Sequence, residues 1–163
     1  MRIMTFNANG IRAAARKGFF DWLPTAKADV VCVQETKAQL AQLTAPEFHP
    51  NGYHCFYHDA EKKGYSGVAV YSRIEPRVVR YGIGWEPMDA EGRWLQVDFD
   101  RLSVISLYLP SGTSGDQRQQ VKYRMMDYLE PRLSQMMEDD REYVICGDWN
   151  IAHKEIDLKN YRS

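Results

Sequence analysis

Short apolar runs that stop abruptly at polar residues recur along the chain, and their period separates strands from helices. Residues 1–6 form such a run, stopped by Asn7, Asn9 and Gly10, which predicts a strand followed by a tight polar loop. Ile11, Ala15, Phe19, Trp22 and Leu23 then recur at helical spacing before Pro24, predicting a helix. Val30, Val31, Cys32 and Val33 make an unbroken apolar run, as a strand buried on both faces requires, and it ends at Gln34 and Glu35.

Further strands are predicted over residues 53–57, 68–72 and 77–81, with turn chemistry at 61–64 and at Glu75 and Pro76. Residues 94–99 and 102–108 flank Asp100 and Arg101 as in a hairpin, so the middle of the chain is expected to be a β meander. From Asp116, read as a helix N-cap, Val121, Met125, Leu129, Leu133 and Met136 fall on one helical face, with a kink or break expected at Pro131. The methionines there are expected to fill the core. Residues 143–146 predict a last buried strand, out of which Gly147, Asp148, Trp149 and Asn150 turn. Mixed elements with a strand-rich middle predict an α/β fold in which two sheets pack on each other and are flanked by helices.

At 163 residues, with no low-complexity stretch, linker or short repeat, the chain reads as one domain. Hydrophobic residues at 44% and charged residues at 26% exclude the disordered, collagen-like and coiled-coil classes. Lys and Arg number 21 against 22 Asp and Glu, so no overall positive field attracts a polyanion; such a ligand needs a local patch or a metal. Cys32, Cys55 and Cys146 are odd in number and lack metal-ligand spacing, which predicts buried free thiols in a reducing cytoplasm. No apolar run approaches the ~20 residues of a membrane helix, and no membrane contact is expected.

Chemistry gathers at strand ends. Asn7 and Asn9, then Glu35, then Tyr108, then Asp148 and Asn150 stand at the carboxyl ends of four apolar strands, where a shared sheet end can bring distant residues together. One carboxylate after a strand is more often a cap or turn residue than a catalyst; four such ends change that balance. Glu35 and Asp148, with amide and phenol groups beside them, form an all-oxygen set suited to hard Mg²⁺ with several waters retained. Phosphoryl chemistry is the leading expectation.

FNANGIR at 6–12, QETK at 34–37, GYSGVAVYSR at 64–73, EGR at 91–93, YLPSG at 108–112 and GDWN at 147–150, followed by IAHKEIDLKN, resemble the exonuclease III family of apurinic/apyrimidinic endonucleases, part of the endonuclease/exonuclease/phosphatase superfamily. The motifs occur in family order along the whole chain. The resemblance implies a Mg²⁺-dependent phosphodiesterase, with Mn²⁺ able to substitute, that cuts double-stranded DNA on the 5′ side of abasic sites and trims 3′ ends. By that resemblance Glu35 binds the metal and Asn7 helps position it, Asp148 orients or deprotonates the attacking water, and Asn150 and Tyr108 hydrogen-bond the scissile phosphate. Arg12 and Lys17 are expected to contact DNA phosphates, although each alone also fits a solvated helix face; Gly64 and Tyr65 lie in a loop that approaches the DNA backbone in relatives. Asn9 stands where many relatives carry aspartate, which removes an acidic contact near the metal. His153 is expected to be structural, and His49, His54 and His58 lack metal spacing.

The same resemblance implies that residues 1–163 are the N-terminal portion of one domain whose complete form is a four-layered sandwich and a monomer. A second sheet, an aromatic DNA-facing loop and a terminal Asp-His pair are expected to lie beyond Ser163. Residues 30–33, 102–107 and 143–146 should then have bare inner faces, making the chain part of a longer one or self-associating, with substrate binding outlasting catalysis. Two other classes share the scaffold: a nucleic-acid binder without catalysis, expected to lack the two carboxylates, and a lipid or inositol phosphate phosphodiesterase, not expected to keep GYSGVAVYSR with IAHKEIDLKN.

Overall fold

The computed structural model describes residues 1–112 and 115–157; Leu158, Lys159 and Asn160 of the last motif lie outside the described residues. Among the described residues eight strands build two four-stranded sheets. The first takes β1 (Ile3–Asn7), β2 (Val30–Gln34), β3 (His54–His58) and β4 (Val68–Ser72) in the order β1-β2-β4-β3. The second runs β5-β6-β7-β8, from β5 (Val78–Tyr81), β6 (Trp94–Asp98), β7 (Leu102–Tyr108) and β8 (Glu142–Asp148). β1 and β2 are parallel with Asn7 opposite Gln34, and β7 and β8 are parallel with Tyr108 opposite Asp148. The remaining neighbours are antiparallel.

Period-two alternation sorts each strand into an inner and an outer face. Val30, Cys32, Val68 and Val70 of the first sheet meet Leu95, Val97 and Val104 of the second, all fully buried. The second sheet is thus present within these 163 residues, and the expectation of bare inner faces on β2 and β7 is corrected. Strands β6 and β7 close that layer, each apolar side chain contributing roughly 1.5–3 kcal/mol of burial. On the outer face of the first sheet, α1 (Ile11–Arg16) and α2 (Phe19–Trp22) cover Val31, Val33, Ala69 and Tyr71. On the outer face of the second, α4 (Asp116–Glu138) and the short α3 (Glu86–Asp89) supply Met125, Leu129 and Met88 against Trp94, Ile105 and Leu107. The result is four layers, helix, sheet, sheet, helix.

Several expectations need adjustment. The first helix is two, because Gly18 adopts a left-handed backbone (φ 85°) and redirects the chain so that the Phe19 ring is buried and stacks on Phe6 at 5.1 Å. The meander is divided between the sheets: Glu75 and Pro76 break the ladder after β4, and the chain crosses to begin β5 on the other layer. Gly115 is the N-cap of α4 and Asp116 opens its first turn, where a carboxylate complements the helix dipole. Pro131 does not divide α4, whose apolar face at Met125 and Leu129 is anchored on the sheet. Cys32 is buried, whereas Cys55 and Cys146 are only half-buried; all three are free.

Two features, one polar and one steric, lock the sheet ends that matter below. Gln34, 1% exposed, donates from Nε2 to Ser106 Oγ (3.0 Å) and accepts from Thr5 Oγ1 (3.1 Å), joining β1, β2 and β7 across the layers. Gly147 lets β8 close on β7: a Cβ there would sit 2.0 Å from the Leu107 carbonyl oxygen. Gly147→Ala is expected to cost about 1–3 kcal/mol through forced backbone movement. At roughly 2–4 °C per kcal/mol, the drop in Tm is measurable by calorimetry, and an unchanged Tm would show that β8 shifts freely.

Candidate active site

Both sheets end their parallel pairs at the same end of the molecule, and alternation does the rest. Asn7, Gln34, Tyr108 and Asp148 all occupy inner-face positions at the last residue of their strands. Because β1 faces β8 and β2 faces β7, these side chains converge where the sandwich opens. Glu35 follows β2 in a left-handed conformation (φ 55°), which turns its carboxylate towards Asn7.

One amide joins the two carboxylates. Asn7 Nδ2 donates to Glu35 Oε1 at 2.9 Å and to Asp148 Oδ2 at 3.1 Å, although the acids are 113 residues apart in sequence (148 − 35). Asn7 Oδ1 accepts from the Asn9 backbone N–H (3.0 Å), and Asp148 Oδ1 accepts from the Asn150 N–H (3.0 Å). Lys37 pairs with the other Glu35 oxygen at 2.7 Å and donates to Asn9 Oδ1 at 2.6 Å. The walls extend over a cleft of about 770 Å³ lined by Gln34, Ser111, Gly112, Gln119, Lys122 and Asp148, among others.

Burial alone would push the Glu35 carboxyl up; the hydrogen bonds and charge of Lys37, with Asn7 and Tyr108, outweigh it and hold the group below its usual range. A carboxyl lowered in the folded state adds stability above its unfolded value, lost as pH falls through the lowered one. Glu35→Gln is therefore expected to flatten the acid limb of Tm against pH below the ordinary value of 4.5, and an unchanged limb would contradict the ion pair. The Tyr108 phenol is pushed up to about 12, by burial first and then by the charge of Glu35, so it stays a hydrogen-bond donor at neutral pH.

The other sequence-derived candidates are placed more loosely. Asn150 (φ 50°) adjoins Asp148, but its Nδ2 donates to the Leu109 carbonyl at 2.7 Å. Asn9 joins the cluster through Asn7 and Lys37 and lines a separate groove rather than the cleft. Arg12 and Lys17 are exposed on or just after α1, and Lys17 borders a separate groove with Phe6, Asn9 and Trp22. Gly64 (φ 69°) turns a loop in which the Tyr65 hydroxyl accepts from Arg93 Nη2 (2.9 Å), and Lys62 Nζ lies 5.1 Å from the Tyr65 ring centre. His153 is exposed, whereas His49 and His58 bond backbone carbonyls.

Sequence reasoning missed Lys122, which is 8% exposed and donates from Nζ to the Asn150 carbonyl. Its position, between Val121 and Tyr123 in a polar stretch of α4, carries no signal that it reaches the cleft. Gln34 and Lys37 stood inside a recognised motif, yet the roles they play depend on what the other strands bring against them.

Among the described residues no group of three or more His, Cys, Asp or Glu gathers. Two carboxylates, an amide and a phenol suit one hard cation that keeps much of its water, so the donor set fits Mg²⁺ chemistry. Among the described residues no helix is long and apolar enough to cross a membrane.

A model of the Endonuclease/Exonuclease/phosphatase family matches residues 4–163. An exodeoxyribonuclease of Bacillus subtilis is 43% identical over 163 residues, covering 98% of this chain and 62% of that protein. A DNA repair nuclease of Danio rerio is 38% identical over 165 residues, covering 98% of this chain and 52% of that protein. Among solved structures, an AP endonuclease from Archaeoglobus fulgidus superposes with a TM-score of 0.85 at 33% identity, covering 98% of this chain and 62% of that one. The chain thus spans between about half and two thirds of the length of these relatives.

Proposed function

The chain belongs to the Endonuclease/Exonuclease/phosphatase family, and from that premise we propose that it carries the site of a Mg²⁺-dependent DNA repair phosphodiesterase. The substrate is double-stranded DNA, cut on the 5′ side of abasic sites and trimmed at 3′ ends. The observation that carries this reading is the Asn7 amide held between Glu35 and Asp148, which gathers two acids from different sheets at one cleft. The names of the relatives, a DNA exonuclease, a repair nuclease and an AP endonuclease, support the substrate class.

In this reading Glu35, with Asn7, holds the cation, Mg²⁺ or Mn²⁺, which when bound polarises a phosphoryl oxygen and neutralises developing charge. Asp148 orients the attacking water and takes its proton, a role open to it as a carboxylate that need not itself ligate closely. Tyr108 donates its phenol to the phosphate. Asn150 does the same after releasing Leu109. Arg12 and Lys17 hold flanking phosphates from their exposed positions, while Gly64, Tyr65 and Asn9 line the DNA path. Residues 1–163 are taken as the N-terminal portion of a single domain that works as a monomer in the cytoplasm, where Cys32, Cys55 and Cys146 stay reduced.

The test uses the full-length gene product and an end-labelled duplex with one abasic analogue, in Mg²⁺ and in EDTA, beside an inositol phosphate. A single cut 5′ of the analogue in Mg²⁺ alone is expected. Phosphate release from the inositol compound with an intact duplex would overturn the substrate class.

A further inference from the structure

The EGR motif at 91–93 plays no part in the mechanism above, yet its arginine is one of the largest fully buried side chains of the protein, 1% exposed. Burying a guanidinium is expensive, and an apolar residue of similar volume would serve packing alone at lower cost. What Arg93 gains instead is a full set of directed contacts. Its Nε donates to Glu91 Oε2 at 2.6 Å, Nη1 to the Tyr108 carbonyl at 2.7 Å, and Nη2 to the Tyr65 hydroxyl at 2.9 Å. The Arg93 carbonyl also accepts the Tyr108 N–H at 3.0 Å, so the Tyr108 peptide is gripped on both sides by one residue. The guanidinium lies 4.7 Å from the Tyr108 ring centre and 5.6 Å from that of Tyr65. Arg118 of α4 completes the unit, donating to Glu91 Oε1 at 3.2 Å and to the Tyr65 hydroxyl. A lysine could not span these partners, because the contacts need a planar fork with several fixed N–H directions.

We propose that Arg93 is a positioning residue: its guanidinium locks Tyr108 beside Glu35 and ties it to the Tyr65 loop, so that a residue facing the substrate and a residue facing the cleft carboxylates move as one unit. The positive charge also draws the Tyr108 phenol downward against burial and the charge of Glu35. The kinetic consequence rests on the phosphodiesterase reading; the structural coupling does not.

Two measurements separate these. In the full-length product, 3-fluorotyrosine placed at position 108 gives a ¹⁹F resonance that reports the ring's surroundings without substrate. The resonance should shift or broaden in Arg93→Met, and move in the same direction in Arg93→Lys and in Tyr65→Phe, both of which keep a positive charge at position 93 to pair with Glu91. A resonance unchanged in the two milder variants would overturn the proposal, whether or not Arg93→Met folds. In the full-length product, Arg93→Met is expected to lower kcat by about ten- to a hundredfold. KM should change little, and combination with Tyr108→Phe should add almost nothing, because the two act through one group. Losses that multiply would also overturn it. A wild-type protein that leaves abasic DNA intact while the resonance still moves would refute the proposed function and sustain the positioning role.

Discussion

Asp148→Asn is expected to lower kcat by about 10²–10⁴-fold, the usual worth of a positioned acid or base, while DNA affinity stays within a few-fold. The geometry explains why the effect should be so confined. Asp148 uses one oxygen to accept from Asn7 and the other to accept from the Asn150 N–H. An asparagine has the same shape and can keep one of those bonds by turning its oxygen to Asn7, leaving its NH₂ against the Asn150 N–H. One bond is lost at the rim of a cleft, and the backbone ladder from β7 to β8 is untouched. The group able to take a proton from water is gone. Single-turnover cleavage of the abasic duplex together with equilibrium binding in Ca²⁺ measures both halves, and near-normal cleavage would remove Asp148 from its role.

The second large effect falls on the cation. Glu35→Gln is expected to raise the Mg²⁺ concentration needed for half-maximal cleavage by about tenfold to a hundredfold, the range seen even for groups one shell further from a metal. Glu35 carries the negative charge nearest to Asn7 and Tyr108, and glutamine keeps its length while discarding that charge. Lys37 remains held by Asn9 Oδ1, so its ammonium stays beside a neutral amide and repels a second cation. Titration of cleavage against Mg²⁺, and of Mn²⁺ binding by electron paramagnetic resonance, should shift together. An unchanged Mg²⁺ dependence would mean that the ion sits elsewhere.

The strands that bear the site were legible from pattern alone. Residues 30–33, 68–72 and 102–108 are mainly apolar and rich in Val and Ile, and β2, β4 and β7 fall there within a residue. What pattern could not reveal was pairing. Nothing local in the chain tells β3 and β4 to join β2 while β5 and β6 join β7, and so the middle read as one meander; the missing second sheet was an implication of the resemblance, whereas the pattern itself pointed to two packed sheets. The break between α1 and α2 was hidden because Lys17 and Gly18 interrupt an apolar spacing that otherwise continues into Phe19 and Trp22. At the site, Asn7, Glu35, Tyr108 and Asp148 announced themselves as polar residues closing apolar strands. Lys122 and Arg93 did not, because their roles come from contacts between elements: α4 against the loop after β8, and the residue before β6 against the end of β7.

Crystals of the protein soaked in Mn²⁺, with data collected at the manganese edge, test most directly whether the two strand-end carboxylates make one cation site. A single anomalous peak is expected within coordination distance of Glu35, on the side of the cleft that Asp148 faces. A peak remote from Glu35 in crystals whose protein cleaves abasic DNA with Mn²⁺ would contradict the assignment of the cleft.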